Sequence, residues 1–244
     1  MTTLLAAFQF LTIFPPVVRR AFTPQELGRA VGFFPLVGLA IGGLLLTLDA
    51  GLNWFFSPTL SAALILVTWV AVTRGLHLDG FMDSCDGLFG GHTPEARLTI
   101  MRDSRIGAFG FAGGALLLLT KFAALLSLEN RPAGIMLAPM LGRWGMAAAI
   151  AFFPYARQQG LGRDMKDHAD RSQAILATIT VLVTSWLIAR WLGWLAFVLT
   201  GLALITWIRF VLSRLPGLTG DTYGAACELL ELLVLLIFAI SFRG

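Results

Sequence analysis

Three aspartates, Asp79, Asp83 and Asp86, stand in a stretch otherwise composed of apolar residues, glycine and a few small polar ones. Their spacing of i, i+4 and i+7 puts all three carboxylates on one face of a helix, where like charges repel. A hard divalent cation offsets that repulsion directly, and oxygen donors of this kind suit Mg²⁺ or Mn²⁺. Asp79, Asp83 and Asp86 are therefore the candidate metal ligands. The alternative is a solvated acidic face, but the surrounding residues are not those of a solvated surface. Further along, Arg102 and Arg105 flank Asp103 just before Gly107. Their guanidinium groups suit paired hydrogen bonds to phosphate oxygens, although arginines at a membrane edge also serve as anchors. Carboxylates for a metal and arginines for phosphate are the parts that phosphoryl-type transfer requires. His77 reads equally as a substrate contact or as a capping and packing residue. Cys85 reads as a bystander, because a soft thiolate is a poor partner for a hard cation.

The elements that must position these groups are membrane helices. Of 244 residues, 57% are hydrophobic and only 13% charged, against about 25% charged in an ordinary soluble domain. Several uncharged runs approach the roughly 20 residues needed to cross about 30 Å of hydrocarbon. The expected fold is all-α, a polytopic integral membrane protein of about seven transmembrane helices, forming a single domain over 1–244. The spans read as about 30–50, 57–73, 107–128, 133–155, 173–190, 191–210 and 224–242. The run Leu4 to Phe14 is too short to span and predicts an interfacial or re-entrant helix. Between 173–190 and 191–210 almost no turn remains; Arg190 is the expected corner, with one long bent helix as the alternative.

Most basic residues fall on one side of these spans, whereas the other side receives only Arg131, Arg190 and Arg243. The positive-inside rule then makes the crowded side, which carries the acidic segment, cytoplasmic and puts the C-terminus outside. The net charge of +4 is spent in these loops, so no nucleic-acid partner is expected. Two cysteines, Cys85 and Cys227, fit no metal-finger spacing. Lys121 and Arg143 lie inside spans, where charges face a polar cavity or find partners. Glu228 and Glu231 are candidate partners, and an ion pair and a substrate contact stand as equal readings. The loop from Arg157 to Arg171, with its interleaved charges, reads as a solvated connection.

The run His77-Leu78-Asp79-Gly80, with Asp83, Cys85, Asp86 and Gly87, followed by Met101-Arg102-Asp103-Ser104-Arg105 and Gly107, resembles the signature of the cobalamin synthase (adenosylcobinamide-GDP ribazoletransferase) family. Thr219-Gly220-Asp221, followed by Gly224-Ala225, is similar to a second motif of that family, as is Phe34 to Gly38 to an early one. The resemblance covers nearly the whole chain. It departs at Phe81-Met82, where smaller or aliphatic residues are usual, and at Pro216, which replaces a glycine and stiffens the approach to Asp221.

The resemblance implies an enzyme of the inner membrane that uses Mg²⁺, adenosylcobinamide-GDP and α-ribazole or its 5′-phosphate. The 3′-hydroxyl of the ribazole attacks the cobinamide-bound phosphorus and GMP leaves. On that reading Asp86 or Asp103 accepts the hydroxyl proton, and His77, Arg102, Arg105, Lys121, Arg143 and Asp221 contact substrate. A homo-oligomer is compatible with the sequence, which does not specify one. Two other functions compete. A CDP-alcohol-type phosphotransferase shares the metal and the nucleotide leaving group, but its aspartate spacing and Ala-Arg pair do not match the run after Asp79. An anion transporter would use Lys121 and Arg143, but its site would form at mid-membrane, away from the acidic segment.

Overall fold

A computed structural model describes residues 2–240; Arg243 lies outside them. Every regular element among them is helical. In order they are α1 (Thr2–Leu11), α2 (Pro24–Ala30), α3 (Phe34–Leu52), α4 (Pro58–Val72), α5 (Leu76–Gly90), α6 (Pro94–Ile100), α7 (Ala108–Leu126), α8 (Arg131–Phe152), α9 (Leu161–His168), α10 (Arg171–Leu212) and α11 (Gly220–Ala239).

Local chemistry sets many of these starts. Thr23, Ser57, Thr93, Asn130, Asp170 and Thr219 each accept a backbone N–H from the first turn of α2, α4, α6, α8, α10 and α11, which satisfies amides a helix otherwise leaves unpaired. Proline in the first turn of α2, α3, α4, α6 and α8 costs nothing there, since that N–H has no helical partner.

Among the described residues, five helices are long and apolar enough to cross a membrane: Pro24–Leu52, α7, α8, α10 and α11. The chain is thus a polytopic membrane protein, and one of the expected spans takes a different form. The segment expected at 57–73 is α4, whose 15 residues reach only about 22 Å. It is joined to α5 through an 86° bend. Arg74 and Gly75 both adopt left-handed backbone there, at φ 55° and 65°, which stops α4 and redirects the chain. The acidic segment therefore belongs to a broken element.

The segments expected at 173–190 and 191–210 lie within α10, whose helical backbone fails at Ala189 and at Arg190 (φ 51°, ψ −133°). The chain reverses there. The Trp194 indole donates to the Leu182 carbonyl at 3.1 Å, and Trp186 and Trp194 pack with ring centres 5.1 Å apart. Such contacts are impossible along a straight helix, which would separate these residues by about 12 Å or more. Arg190 is the corner, as its position between two apolar runs implied.

Lipid offers no hydrophobic drive for helix to meet helix, so close approach of small residues has to supply it. Gly38 and Gly42 lay α3 directly on the backbone of α8 at Met136, Pro139 and Met140. At the far end of this pair Arg131 clamps Asp49 through two hydrogen bonds of 2.6 and 2.7 Å. The Glu129 amide donates to the Phe238 carbonyl at that same end. Gly80 and Gly224 bring α5 and α11 into the same kind of contact, and that contact forms the floor of the polar end.

Candidate active site

At the end of the bundle opposite Asp49 and Arg131, a cavity of about 270 Å³ opens among α5, α11, α9 and the chain that follows α8. Asp79, Asp221, Arg157, His77, Tyr155 and Tyr223 are on its wall. A second hollow, lined by Arg74, Leu78 and Met82, touches Asp79 from its other side.

The backbone explains the assembly. Gly80 sits so close to α11 that a Cβ there would lie 3.0 Å from both Cα and O of Asp221. Asp79 and Asp221, far apart in sequence, are thereby brought to one wall. The strand-like pairing of Tyr155 with Leu218 closes the other side. The Ala156 amide donates to the Leu218 carbonyl, and the Leu218 amide to the Pro154 carbonyl, both at 2.8 Å. Arg157 is thus held to bond Asp221, and Thr219 Oγ1 donates to the same carboxylate at 3.3 Å. The chain has two tyrosines, and both line this cavity with their rings 5.8 Å apart and 25° from parallel.

Of the three aspartates on α5, Asp79 and Asp83 enter no ion pair among the described residues. Asp79 is exposed, and Asp83 is half-buried within the field of Asp79, Asp221 and Asp86 and of the Arg157 guanidinium. Asp86 is different. It lies about 10 Å along the helix from Asp79 and is buried. Its two oxygens accept the backbone amides of Gly107 and Gly110, each at 2.8 Å, so it caps the N-terminus of α7, where the helix dipole favours an anion.

Among the described residues no three His, Cys, Asp or Glu side chains form a ready metal cage. The donor chemistry nonetheless fits a hard cation. Mg²⁺ is usually held by one or two carboxylates, with substrate phosphates and water completing its shell, and Asp79 and Asp83 are two oxygen donors that no ion pair among the described residues occupies.

The other sequence candidates distribute as follows. Arg105 is exposed and grips Asp103, with hydrogen bonds of 2.6 to 3.2 Å. The Arg105 side chain, then its backbone amide, hold the Asp103 carboxyl down at about 2. Arg102 is exposed beside them. Lys121 and Arg143 are buried away from the cavity wall. Lys121 bonds Glu228 and Glu231, and Arg143 bonds Glu231, so the ion-pair reading describes their contacts.

The loop after α8, read as a solvated connection, instead supplies Arg157 and, at Gly160, Leu161 and Gly162, part of the cavity wall. Arg157, Tyr155 and Tyr223 were missed because no spacing links them in sequence. The sparse signal was compositional: a membrane chain with only two tyrosines placed one at each of the segments that meet here.

A bundle too apolar for water that carries a pocket of carboxylates, arginine and tyrosine at one end belongs to the class of membrane-embedded proteins with a polar reaction chamber. The chain belongs to the cobalamin-5-phosphate synthase family, whose description it matches over residues 3–239. It is 42% identical over 244 residues to the adenosylcobinamide-GDP ribazoletransferase of Stutzerimonas stutzeri (strain A1501), covering 99% of each chain. It is 43% identical over 239 residues to the protein of that name from Ectopseudomonas mendocina (strain ymp), covering 96% of this chain and 97% of that one. A third, from Desulfitobacterium hafniense (strain Y51), is 38% identical over 244 residues, with 97% and 96% covered. No solved structure matches the chain.

Proposed function

We propose that the chain is an adenosylcobinamide-GDP ribazoletransferase whose reaction takes place in the cavity between α5 and α11. The 3′-oxygen of α-ribazole, or of its 5′-phosphate, forms a bond to the cobinamide-bound phosphorus. The bond from that phosphorus to GMP breaks, the hydroxyl proton goes to a carboxylate, and adenosylcobalamin or its 5′-phosphate results. The observation that carries this reading is the convergence of two stretches distant in sequence, one contributing Asp79 and the other Asp221, on one wall of a single polar cavity. It is further supported by relatives of that name that align over nearly the whole chain.

Asp79 and Asp83 would hold Mg²⁺, which when bound supplies charge for the pyrophosphate and for the departing GMP. The residues of the chain do the rest. Arg157 neutralises Asp221 and keeps it from adding a further uncompensated charge beside Asp79 and Asp83. Asp221 is the better placed proton acceptor, because it stands on the cavity wall. Asp103, taken up by Arg105, lies outside the cavity lining, and Asp86 is committed to the α7 amides. Tyr155 and Tyr223 give a flat aromatic wall suited to a ring system such as the ribazole base. Arg102 and Arg105 lie on the exposed rim, where they would attract the polyanionic substrate.

The Arg-rich end that holds the cavity is cytoplasmic on the positive-inside rule, which places the end marked by Arg131 and Asp49 outside the cell membrane. The test is direct. Purified protein in lipid nanodiscs, given adenosylcobinamide-GDP, α-ribazole and titrated Mg²⁺, should release GMP in step with cobalamin formed. Release of CMP from a CDP-alcohol with none of GMP, or uptake of an anion by proteoliposomes without turnover, would replace this reading.

A further inference from the structure

Behind the cavity wall runs a line of buried charges that the proposed reaction leaves without a task. Lys121 of α7 bonds both Glu228 and Glu231 of α11, and Arg143 of α8 bonds the second oxygen of Glu231. Two cations face two carboxylates, so the cluster is formally neutral and holds no spare charge for a substrate. It has one outlet. Nη2 of Arg143 lies 3.1 Å from Nδ1 of His77, and His77 stands on the cavity wall although only 1% exposed. The other ring nitrogen, Nε2, is buried and has no hydrogen-bond partner among the described residues. An unmet polar atom on a residue that lines a cavity is one that a ligand atom can satisfy, since leaving it unpaired is unfavourable.

The partner of Nδ1 decides what Nε2 can offer. A guanidinium carries five N–H donors and no acceptor, so Nδ1 must accept, and the ring's single hydrogen must sit on Nε2. We propose that Arg143, oriented by Glu231, locks His77 in the Nε2–H tautomer, so that His77 presents one N–H donor to an acceptor oxygen of the substrate, of the phosphate class. His77 then binds and cannot serve as a base, while Arg143 and Glu231 are positioning residues that act through it. The identity of the acceptor rests on the reaction proposed above; the tautomer does not.

The experiment uses the full chain in nanodiscs with ¹⁵N-labelled histidine. Long-range ¹H–¹⁵N correlation at one neutral pH, with His77 assigned by its loss in His77→Gln, should give a protonated Nε2 and a bare Nδ1. Removing Arg143 alone would strand Glu231, so the companion variant is the charge-balanced Arg143→Met/Glu231→Gln. There the His77 nitrogens should shift to a mixture of tautomers. In the GMP-release assay His77→Leu should lose about 10- to 100-fold, the worth of one hydrogen bond to a charged group, chiefly in kcat. His77→Gln, which keeps an N–H donor, should recover part of that loss. A hydrogen on Nδ1 in the wild type, unchanged nitrogens in the double variant, or full activity in His77→Leu would each overturn the assignment. The nitrogen shifts are read without substrate, so a wild-type protein that released no GMP would sink the reaction and still leave the tautomer decided.

Discussion

At the scale of single residues, three aspartates that share one helical face do different work. Asp79 and Asp83 enter no ion pair among the described residues, whereas Asp86 spends both oxygens on the amides of Gly107 and Gly110. The two kinds of aspartate should fail differently. Asp83→Asn should lower GMP release by about 10³-fold, as loss of an electrostatic stabiliser in a closed site does, and leave the melting temperature unchanged. Asp86→Asn should lose about 1–3 kcal/mol of stability, because one charge-assisted acceptor is gone, with a visible fall in melting temperature. Thermal denaturation and the GMP assay on the same preparations separate the two. Sequence spacing identified the acidic face, since the period of a helix is written in the residues. It could not tell a candidate ligand from a cap, because the amides that Asp86 meets start a helix more than twenty positions later. Arg105 carries a similar lesson: its nearest acid is Asp103, which takes it up locally.

At the scale of elements, the site depends on how closely α5 can lie against α11. A methyl group at Gly80 would meet the Asp221 backbone at 3.0 Å, with no flexible side chain there to yield. Gly80→Ala should therefore push the two helices apart at a cost of about 1–3 kcal/mol and lower turnover by displacing Asp221; a variant with wild-type kinetics and melting would show that this contact does not set the site. The corner of α10 offers the opposite case. Arg190 holds a backbone conformation that side-chain-bearing residues rarely adopt, and such residues store roughly 1–3 kcal/mol. Arg190→Gly should relieve part of that strain and raise the melting temperature; a fall in that temperature on thermal denaturation would show that the corner is not strained. The hairpin was legible from two apolar runs meeting at one arginine. The 86° break between α4 and α5 was not, because a left-handed Arg74 leaves no compositional trace.

At the scale of the whole molecule, three polar places stand out: the cavity at one end, the Asp49–Arg131 pair at the other and the Lys121–Glu228–Glu231–Arg143 cluster inside. The cluster ties α7, α8 and α11 together with buried charges, which are costly unless every member is paired. Lys121→Met should cost about 3–5 kcal/mol by leaving a buried carboxylate uncompensated, and Lys121→Met/Glu228→Gln should recover most of it; equal damage in both would mean that the pairing is not what matters. Membrane class, helical content and the possibility of this ion pairing were all readable from apolar runs and the few charges within them. The cavity was not, because a third of its wall comes from the stretch between Tyr155 and Gly162, whose charges look like those of any solvated connection until the pairing with Leu218 draws it over Asp221.

The central claim is that Asp79 and Asp83 bring a hard divalent ion to the pyrophosphate of the substrate. Mn²⁺, a paramagnetic stand-in for Mg²⁺ with the same preference for oxygen, reports this by electron–nuclear double resonance. With adenosylcobinamide-GDP bound to the wild-type protein, a ³¹P coupling to Mn²⁺ should be present, and it should vanish in Asp79→Asn/Asp83→Asn. A coupling that survives in the double variant at unchanged Mn²⁺ occupancy would contradict the account.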